Sequence, residues 1–175
     1  MNNIACMLKK RLYSDFKVDK NKQTITCKTN RNETCVVLLC DMKVGVSYMK
    51  TWFSILNKFD HFILVGPSFS FQSIQYLNQN LSKIYYEILH PDDVCFDKTS
   101  HYYVPQYRLL NQKEKYDICK KYGDQSKFPC MISKKDAIAK YMGFRPGDMV
   151  EIKCSSLISG YSVYYRQIID ISSSV

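Results

Sequence analysis

The chain has 175 residues, of which 46% are hydrophobic and 23% charged, so a largely disordered protein is excluded. No stretch reaches the roughly 18 consecutive apolar residues that a membrane span requires, and the first residues lack the pattern of a secretory signal peptide. We therefore expect an intracellular protein without a membrane partner. The net charge of +9 fits either simple solubility or a polyanionic partner such as nucleic acid.

The positive charge is unevenly distributed along the chain. Residues 1–31 carry a net +6, residues 32–98 carry −2 and residues 99–175 carry +5. A basic leader and a basic C-terminal part thus flank an acidic middle. The leader is the main candidate for contacts with phosphate groups.

The first part of the chain alternates between predicted strands and helices. Weak patterns predict a helix over 4–13 and a strand over 24–27. Stronger patterns predict strands over 35–40, 61–65 and 83–89, a helix whose apolar face runs from Val46 to Leu56, and a helix capped by Ser70 with Ile74, Leu77 and Leu81 on one face. This order favours a parallel sheet with right-handed crossovers.

A polar, turn-rich stretch after residue 90 predicts a boundary between two domains, residues 1–98 and 99–175. In the second domain, Asn111 and Glu114 have the spacing of a helix-capping box, and Gly123 is expected to end that helix. A similar start is predicted at Ser133, for a helix that ends at Gly143. Its inward residues are predicted to be Ile138, Tyr141 and Met142.

Two strands complete the second domain. Residues 149–154 alternate so that Val150, Ile152 and Cys154 share one face, and residues 162–169 form the second strand, with Gly160 in the connection. The predicted fold class is therefore α/β. It comprises an N-terminal domain with a mixed or parallel sheet and helices, and a small C-terminal α+β domain of two helices and a β-hairpin.

The residue types that carry catalysis or bind metals do not occur in a recognisable pattern. Eight cysteines are present, but there is no Cys-x-x-Cys and no histidine at zinc-finger spacing. No nucleophile elbow and no glycine-rich phosphate loop is found. We predict reduced cysteines, no cofactor, no metal and no catalytic residue.

Two local patterns leave functional alternatives open. Asp92 with Glu151 and Lys153 superficially matches the acid, acid, lysine pattern of metal-dependent nucleases, although the predicted boundary separates them. The loop 66–70, including Ser68 and Ser70, precedes a helix whose free N–H groups can bind a phosphate. Ordinary capping of that helix is sufficient to explain Ser70 and is the favoured interpretation.

The segment from 101 to 166 carries an ordered set of residues that together form a recognisable pattern. In chain order these are His101, Tyr102, Tyr103, Val104 and Pro105; Leu110 and Glu114; Phe128 and Pro129; the run 136–152 with Gly143, Arg145, Pro146, Gly147 and Asp148; and Ser156, Gly160, Val163, Tyr164, Tyr165 and Arg166. By these residues the segment resembles the assembly domain of the small RNA polymerase subunit that eukaryotic polymerases I, II and III share and that archaeal polymerases also contain.

The resemblance implies a non-catalytic subunit of a DNA-dependent RNA polymerase. It implies docking of the C-terminal domain on the largest subunit, contacts with other polymerase subunits and no homo-oligomer. The implied subunit-interface residues are His101, Val104, Pro105, Gly143, Arg145, Pro146, Gly147, Asp148, Gly160, Tyr165 and Arg166. The family's N-terminal domain forms a jaw near downstream duplex DNA, which makes Ser68, Ser70, Lys9, Lys10 and Arg11 the DNA-proximal residues, acting through phosphate contacts.

The chain departs from the family pattern at several positions. Tyr107 stands where the family usually has a second histidine, and Cys154 where the hairpin usually carries an arginine. Ile158 and Ser159 replace a Thr-Ala pair, and Ala137 follows Asp136 where a proline is usual. We expect the partner surface to have diverged at these positions.

Because the archaeal form lacks the jaw, the resemblance favours a eukaryotic or large eukaryotic-virus source. The short N-terminal part and the divergent hairpin favour a viral transcription apparatus. The expected location is the host cytoplasm and virion for a viral protein, and the nucleus for a cellular one. The alternative function is a free-standing basic nucleic-acid-binding module, in which Tyr161, Tyr164 and Tyr165 form a stacking surface.

Overall fold

The computed structural model describes residues 2–19, 21–80, 84–156 and 160–170, and the chain divides into two compact units between Phe96 and Asp97. Leu81, Lys83, Ile158 and Ser159, which entered the sequence predictions, lie outside the described residues. No helix in the described part of the chain is long and apolar enough to span a membrane.

The N-terminal unit is built around a five-stranded sheet. Its elements are α1 (Asn2–Lys10), β1 (Ser14–Asp19), β2 (Thr24–Lys28), β3 (Thr34–Leu39), α2 (Val46–Leu56), β4 (His61–Val65), α3 (Phe71–Asn80) and β5 (Tyr85–Leu89). The strand order follows the sequence: β1, β2 and β3 are antiparallel, whereas β3, β4 and β5 are parallel. The predicted parallel strands and their helices are confirmed, and the added antiparallel ribbon makes the sheet mixed.

The core of this unit lies on the two faces of β4, whose five residues are all buried. On one face Phe62 and Leu64 pack in a cluster with Met49 of α2 and Leu77 of α3. The continuous apolar run of β4 suits a strand that is covered on both sides. On the opposite face lies His61, against which the ring of Tyr13 packs edge-on at a centroid distance of 6.3 Å.

The C-terminal unit contains a four-stranded sheet and two helices. Its elements are β6 (Gln106–Leu109), α4 (Gln112–Tyr122), β7 (Cys130–Ile132), α5 (Ala137–Met142), β8 (Met149–Ser156) and β9 (Gly160–Ile169). The strand order is β6-β8-β9-β7, with β8 antiparallel to both neighbours and β7 parallel to β9. The predicted hairpin and both helices are confirmed, but the edge strands β6 and β7 were not predicted.

The helix ends of this unit follow from local side-chain chemistry. Asn111 and Glu114 form the predicted capping box, each side chain accepting the other's backbone N–H at 2.9 Å, and Gly123 ends α4. The predicted start of α5 at Ser133 is wrong. Asp136 is the N-cap, because its carboxylate accepts N–H bonds from Ile138 and Ala139 at 2.9 Å.

The C-terminal core lies between the sheet and α5. Val150 and Ile152 of β8 pack with Ile168 of β9, and Ala139 and Phe144 cover them. The predicted inward-facing residues of β8 are thus confirmed, with Cys154 partly buried against the same cluster. Tyr141 of α5 is fully buried, as predicted.

Candidate functional site

The predicted interface residues 145–148 form one tight turn. The Asp148 N–H donates to the Arg145 carbonyl at 3.0 Å, and the Arg145 N–H donates to the Asp148 carboxylate at 2.7 Å. Pro146 in the second position and Gly147 in the third, with a φ of +90°, correspond to a type II turn. The third position requires the positive φ that glycine adopts without strain.

This turn is held against two neighbouring elements. The Gly147 N–H donates to the Ile168 carbonyl of β9 at 2.9 Å, and its carbonyl accepts a hydrogen bond from Lys115 Nζ of α4 at 2.8 Å. Gly143 precedes the turn and ends α5 in a left-handed conformation, with a φ of +66°. The sequence between Gly143 and Asp148 is therefore a rigid connection that presents Pro146 to solvent.

The predicted interface residues Val104, Pro105 and Gly160 line a common groove with a volume of about 680 Å³. Tyr102 and Tyr103 line the same groove and are 92% and 84% exposed. His101 lies at its margin, since its carbonyl accepts the Val104 N–H at 2.9 Å and its ring lies 5.9 Å from that of Tyr103. Large exposed aromatic side chains of this kind are typical of protein interfaces.

Tyr165 and Arg166 line a second groove, with a volume of about 380 Å³, that lies beside β9. The Tyr165 ring is half-buried against Tyr122 and Phe128, at centroid distances of 6.1 and 6.4 Å. Burial raises the pKa of Tyr165, and the negative charge of Glu151 adds to the effect. The phenol therefore stays neutral at physiological pH.

An ion-pair network around Arg108 is a feature that sequence reasoning missed. The guanidinium donates to both carboxylate oxygens of Glu151, at 3.1 and 3.2 Å, and to Glu114 at 2.6 Å. The hydrogen bonds that Arg108 donates to Glu151 and then to Glu114 raise its pKa. The network joins β6, β8 and the first turn of α4. The sequence offered one indication of this network, because Glu114 was already predicted to lie in the capping box of α4.

Two of the positions that depart from the family pattern, Tyr107 and Cys154, lie against the C-terminal core, whereas Ala137 is exposed. Both side chains are partly buried, and neither supplies the cationic group of the histidine or arginine usual at these positions. Asp136 caps α5, as described above. The Ile158–Ser159 pair lies outside the described residues.

The loop 66–70 joins β4 to α3, and its two serines differ in their surroundings. The Ser70 hydroxyl accepts the Ser73 N–H at 3.1 Å, which confirms the predicted cap of α3. Ser68 is exposed, and its carbonyl accepts the Val44 N–H at 2.9 Å. Of the two hydroxyls, that of Ser68 is the more accessible to a phosphate.

Lys9 and Lys10 at the end of α1 and Arg11 just after it do not share one environment. Lys9 and Lys10 are exposed, as a phosphate contact requires. Arg11 is only 3% exposed, and its guanidinium donates to both carboxylate oxygens of Glu87 at 2.9 Å. Because that side chain is buried and paired, Arg11 does not fit the DNA-proximal role that the sequence suggested.

The buried cluster around Arg11 includes His61, whose Nε2 lies 3.0 Å from Glu87. Burial opposes the charged form of Glu87, but Arg11 and His61 together outweigh it and hold the pKa of Glu87 down to about 2. Burial likewise opposes the charge of Arg11, yet Glu87 and Tyr13 raise its pKa. Both groups are therefore charged at neutral pH.

The residues of the nuclease pattern are divided between the two units, and those on β8 have other partners. Asp92 belongs to the N-terminal unit, whereas Glu151 and Lys153 lie on β8 of the other unit. Glu151 is bonded to Arg108, and Lys153 Nζ lies 4.1 Å above the ring of Tyr161. Within the described ranges, no three His, Cys, Asp or Glu side chains are grouped to hold a metal ion.

Comparisons with known proteins match the C-terminal unit to one class, the small subunits of DNA-directed RNA polymerases. The family described as "RNA polymerase Rpb5, C-terminal domain" matches residues 96–168. "DNA-directed RNA polymerase subunit Rpo5" of Thermococcus onnurineus is 35% identical over 75 residues, which cover 43% of this chain and 92% of the relative. The protein of the same name from Sulfurisphaera tokodaii is 37% identical over 76 residues, covering 43% of this chain and 90% of the relative.

A plant relative extends the similarity to eukaryotes. "DNA-directed RNA polymerase V subunit 5A" of Arabidopsis thaliana is 34% identical over 80 residues, which cover 46% of this chain and 36% of the relative. The chain therefore belongs to the Rpb5/Rpo5 family of RNA polymerase subunits. The resemblance inferred from residues 101–166 is confirmed.

Proposed function

We propose that the chain is a non-catalytic subunit of a multisubunit DNA-dependent RNA polymerase. The observation that carries this proposal is the family match over residues 96–168, which covers the C-terminal unit almost completely. The archaeal relatives named as polymerase subunits are covered over about nine-tenths of their length. The matched unit is thus the part that such relatives have in common.

The C-terminal domain, residues 99–175, is proposed to dock on the largest subunit and to contact other polymerase subunits. Two sets of predicted interface residues support this role. The 145–148 turn is rigid and presents Pro146 to solvent, and the groove at Val104, Pro105 and Gly160 is bordered by exposed tyrosines. We propose that the chain enters the assembly as one copy and not as a homo-oligomer.

The N-terminal domain, residues 1–98, is proposed to form part of a jaw around downstream duplex DNA. The supporting features are the exposed Lys9 and Lys10 and the exposed Ser68 beside the start of α3. Such contacts would be made to phosphates, so they would stabilise binding without reading the sequence. Arg11 is excluded from this set, because it is buried with Glu87.

The compartment in which this polymerase acts depends on whether the chain comes from a virus or from a cell. The combination of a jaw domain and a divergent hairpin favours a large eukaryotic virus as the source. For a viral polymerase, we propose the host cytoplasm and the virion as its location. The nucleus is the corresponding place for a cellular polymerase. Sequencing of the flanking genes tests this point, because a viral transcription apparatus predicts neighbouring genes for other polymerase subunits or capping enzymes.

Co-purification tests the central proposal. The full-length chain, tagged and expressed in its native source, should recover the two large polymerase subunits in comparable amounts. The control is a tagged unrelated basic protein of similar size, which shows how much of the recovery is due to positive charge alone. Absence of the large subunits, with the tagged chain folded and abundant, overturns the proposal.

One observation favours a second candidate function, that of a free-standing nucleic-acid-binding module. Tyr161 and Tyr164 are more than half exposed, and Lys153 lies over the Tyr161 ring. Exposed aromatic rings beside a cation are the arrangement on which unpaired bases stack. Tight binding of single strands by the purified chain, lost in Tyr164→Ala, supports this function; weak binding that Tyr164→Ala leaves unchanged rejects it.

A further inference from the structure

The outer edge of β9 is covered over only part of its length. β8 pairs with β9 from Gly160 to Gln167, whereas β7 pairs with β9 only at Gln167, Ile168 and Ile169. Among the strands of the described residues, none pairs with the outer edge of residues 162–166. We call this stretch the open edge.

The chain itself explains why β7 stops where it does. The Gln167 N–H donates to the Pro129 carbonyl at 3.0 Å, which begins the parallel ladder between β9 and β7. To extend this ladder from Gln167 back to Tyr165, the Tyr165 carbonyl would have to accept a hydrogen bond from the N–H of residue 129. Proline has no N–H, so the ladder cannot continue past this point.

The direction of the backbone groups on the open edge follows from the bonds on either side. The Ile168 N–H donates toward β8, to the Asp148 carbonyl at 2.8 Å, and the Gln167 N–H points the other way, toward Pro129. Because the direction alternates along an antiparallel strand, the N–H and C=O groups of Val163 and Tyr165 point outward. Those of Ser162, Tyr164 and Arg166 belong to the β8 ladder.

The second groove lies directly beside this edge. Tyr122, Phe128 and Tyr165 form its aromatic wall, and Val163 and Arg166 border it. An added strand places alternate side chains on opposite faces. One apolar side chain of that strand can therefore enter the aromatic groove while its backbone bonds to Val163 and Tyr165.

The charged groups around the groove favour an acidic occupant. Arg166 is exposed, and Lys121 Nζ lies 5.0 Å from the centroid of the Tyr122 ring. Neither cation makes an ion pair with another described residue. Glu151, an acid on the neighbouring strand β8, is hydrogen-bonded to Arg108, which it shares with Glu114.

We propose that the open edge is a strand-addition site for an extended, acidic segment of a partner protein. This inference rests on the proposed function in one respect, because it takes the partner to be another polymerase subunit. The segment adds a strand beside residues 162–166 and lines up with β7. Its backbone bonds to Val163 and Tyr165, an apolar side chain fills the aromatic groove, and carboxylates face Arg166 and Lys121. Unprotected strand edges are normally charged, twisted away or covered, and this one carries the apolar sequence Val-Tyr-Tyr.

Backbone amide exchange of the wild-type chain tests this proposal without any mutation. The Val163 and Tyr165 amides should exchange rapidly in the free full-length chain. They should exchange at least ~10-fold more slowly in the purified polymerase assembly, because they become hydrogen-bonded there. The Tyr164 amide, which bonds to β8 in both states, is the internal control.

A pair of substitutions at one position tests the backbone contact directly. Val163→Pro removes an outward N–H and leaves the β8 ladder intact, so we expect recovery of the large subunits to fall at least ~10-fold. Val163→Ala keeps the N–H and is expected to retain most of the recovery. Slow exchange of the Tyr164 amide in Val163→Pro confirms that the hairpin is folded.

The outcomes separate this proposal from the proposed function. If the wild-type chain recovers no large subunit, the proposed function fails. If it recovers them but the Val163 and Tyr165 amides stay fast and Val163→Pro behaves as wild type, the strand-addition site alone is refuted. Protection of these amides that grows with concentration of the isolated chain identifies a second copy as the occupant, and so also refutes an acidic partner.

Discussion

Replacing Arg11 with methionine should destabilise the N-terminal unit by about 3–5 kcal/mol, because it leaves the carboxylate of Glu87 buried without its principal cation. In the native unit the Arg11 side chain is 0% exposed and that of Glu87 is 10% exposed. The two charged groups make two hydrogen bonds of 2.9 Å each. Methionine has a similar length and fills the space, so the loss reports mainly the missing charge and its hydrogen bonds.

The same cluster predicts how the effect depends on pH. The folded pKa of Glu87, about 2, lies below the ordinary value of 4.5. The charged carboxylate therefore stabilises the wild-type unit above pH 4.5, and this contribution is lost as the pH falls from 4.5 toward 2. In Arg11→Met, protonation of the Glu87 carboxylate removes a buried charge that has lost its main partner, and so stabilises the folded variant. The difference in stability between the two proteins should therefore shrink as the pH is lowered from 7 to 4.

The chain offers a local probe for this measurement. Its one tryptophan, Trp52, lies in α2 and packs against the core of the N-terminal unit. Urea unfolding followed by Trp52 fluorescence, at several pH values, gives the stability of that unit. Lys9→Met is the matched control, because Lys9 is exposed on the same segment and its loss should change the stability by no more than about 0.5 kcal/mol.

A double variant separates the charge pair from the packing. Arg11→Met with Glu87→Leu removes both charges, and it should be closer in stability to the wild type than Arg11→Met is. A loss below about 1 kcal/mol in Arg11→Met, or a difference that does not change with pH, would refute the reasoning.

Three further predictions concern local features. Gly147→Ala should destabilise the C-terminal unit by about 1–3 kcal/mol, because a φ of +90° strains any residue with a side chain, even though no atom lies within 4 Å of the added Cβ. Exchange of the Ile168 amide measures the effect, and an unchanged exchange rate would contradict the type II turn. Asn111→Ala should weaken α4 by about 1 kcal/mol, seen as faster exchange of the Lys115 amide, and equal rates would exclude a stabilising cap. Lys9→Gln combined with Lys10→Gln should reduce the slope of log affinity for duplex DNA against log salt by about 2 in the full chain, and an unaltered slope would remove this segment from the DNA contact.

The central part of the fold was predictable because its strands are apolar and its helices amphipathic. β3 and β4 are largely buried apolar runs, and β5 is partly buried but rich in residues with strand propensity. The helices α2 and α3 repeat their apolar residues at helical spacing. Their order in the chain then limits the topology to parallel strands with crossover helices. These signals are local, so a single sequence contains them.

The strands that were missed have no such signal. β1 has no fully buried residue, and β7 is only three residues long. β6, with the sequence Gln-Tyr-Arg-Leu, shows no residue that is fully buried either. These edge strands exist because β2, β8 and β9 supply hydrogen-bonding partners, which depends on tertiary structure rather than on local propensity.

The role of Arg11 illustrates the same limit for site residues. In the sequence it follows Lys9 and Lys10 and belongs to a basic leader. In the structure its partner Glu87 comes from β5, at the far end of the N-terminal unit's sequence. Nothing in one sequence links two positions so far apart. By contrast, Asn111 and Glu114 are three residues apart, and their capping box was predicted correctly.

Purification of the tagged full-length chain from its native source, followed by identification of bound proteins, tests the central claim most directly. The account predicts that the two large subunits of a DNA-dependent RNA polymerase are recovered together, that the complex withstands moderate salt, and that it contains one copy of this chain. Recovery of the folded chain without either large subunit would contradict it.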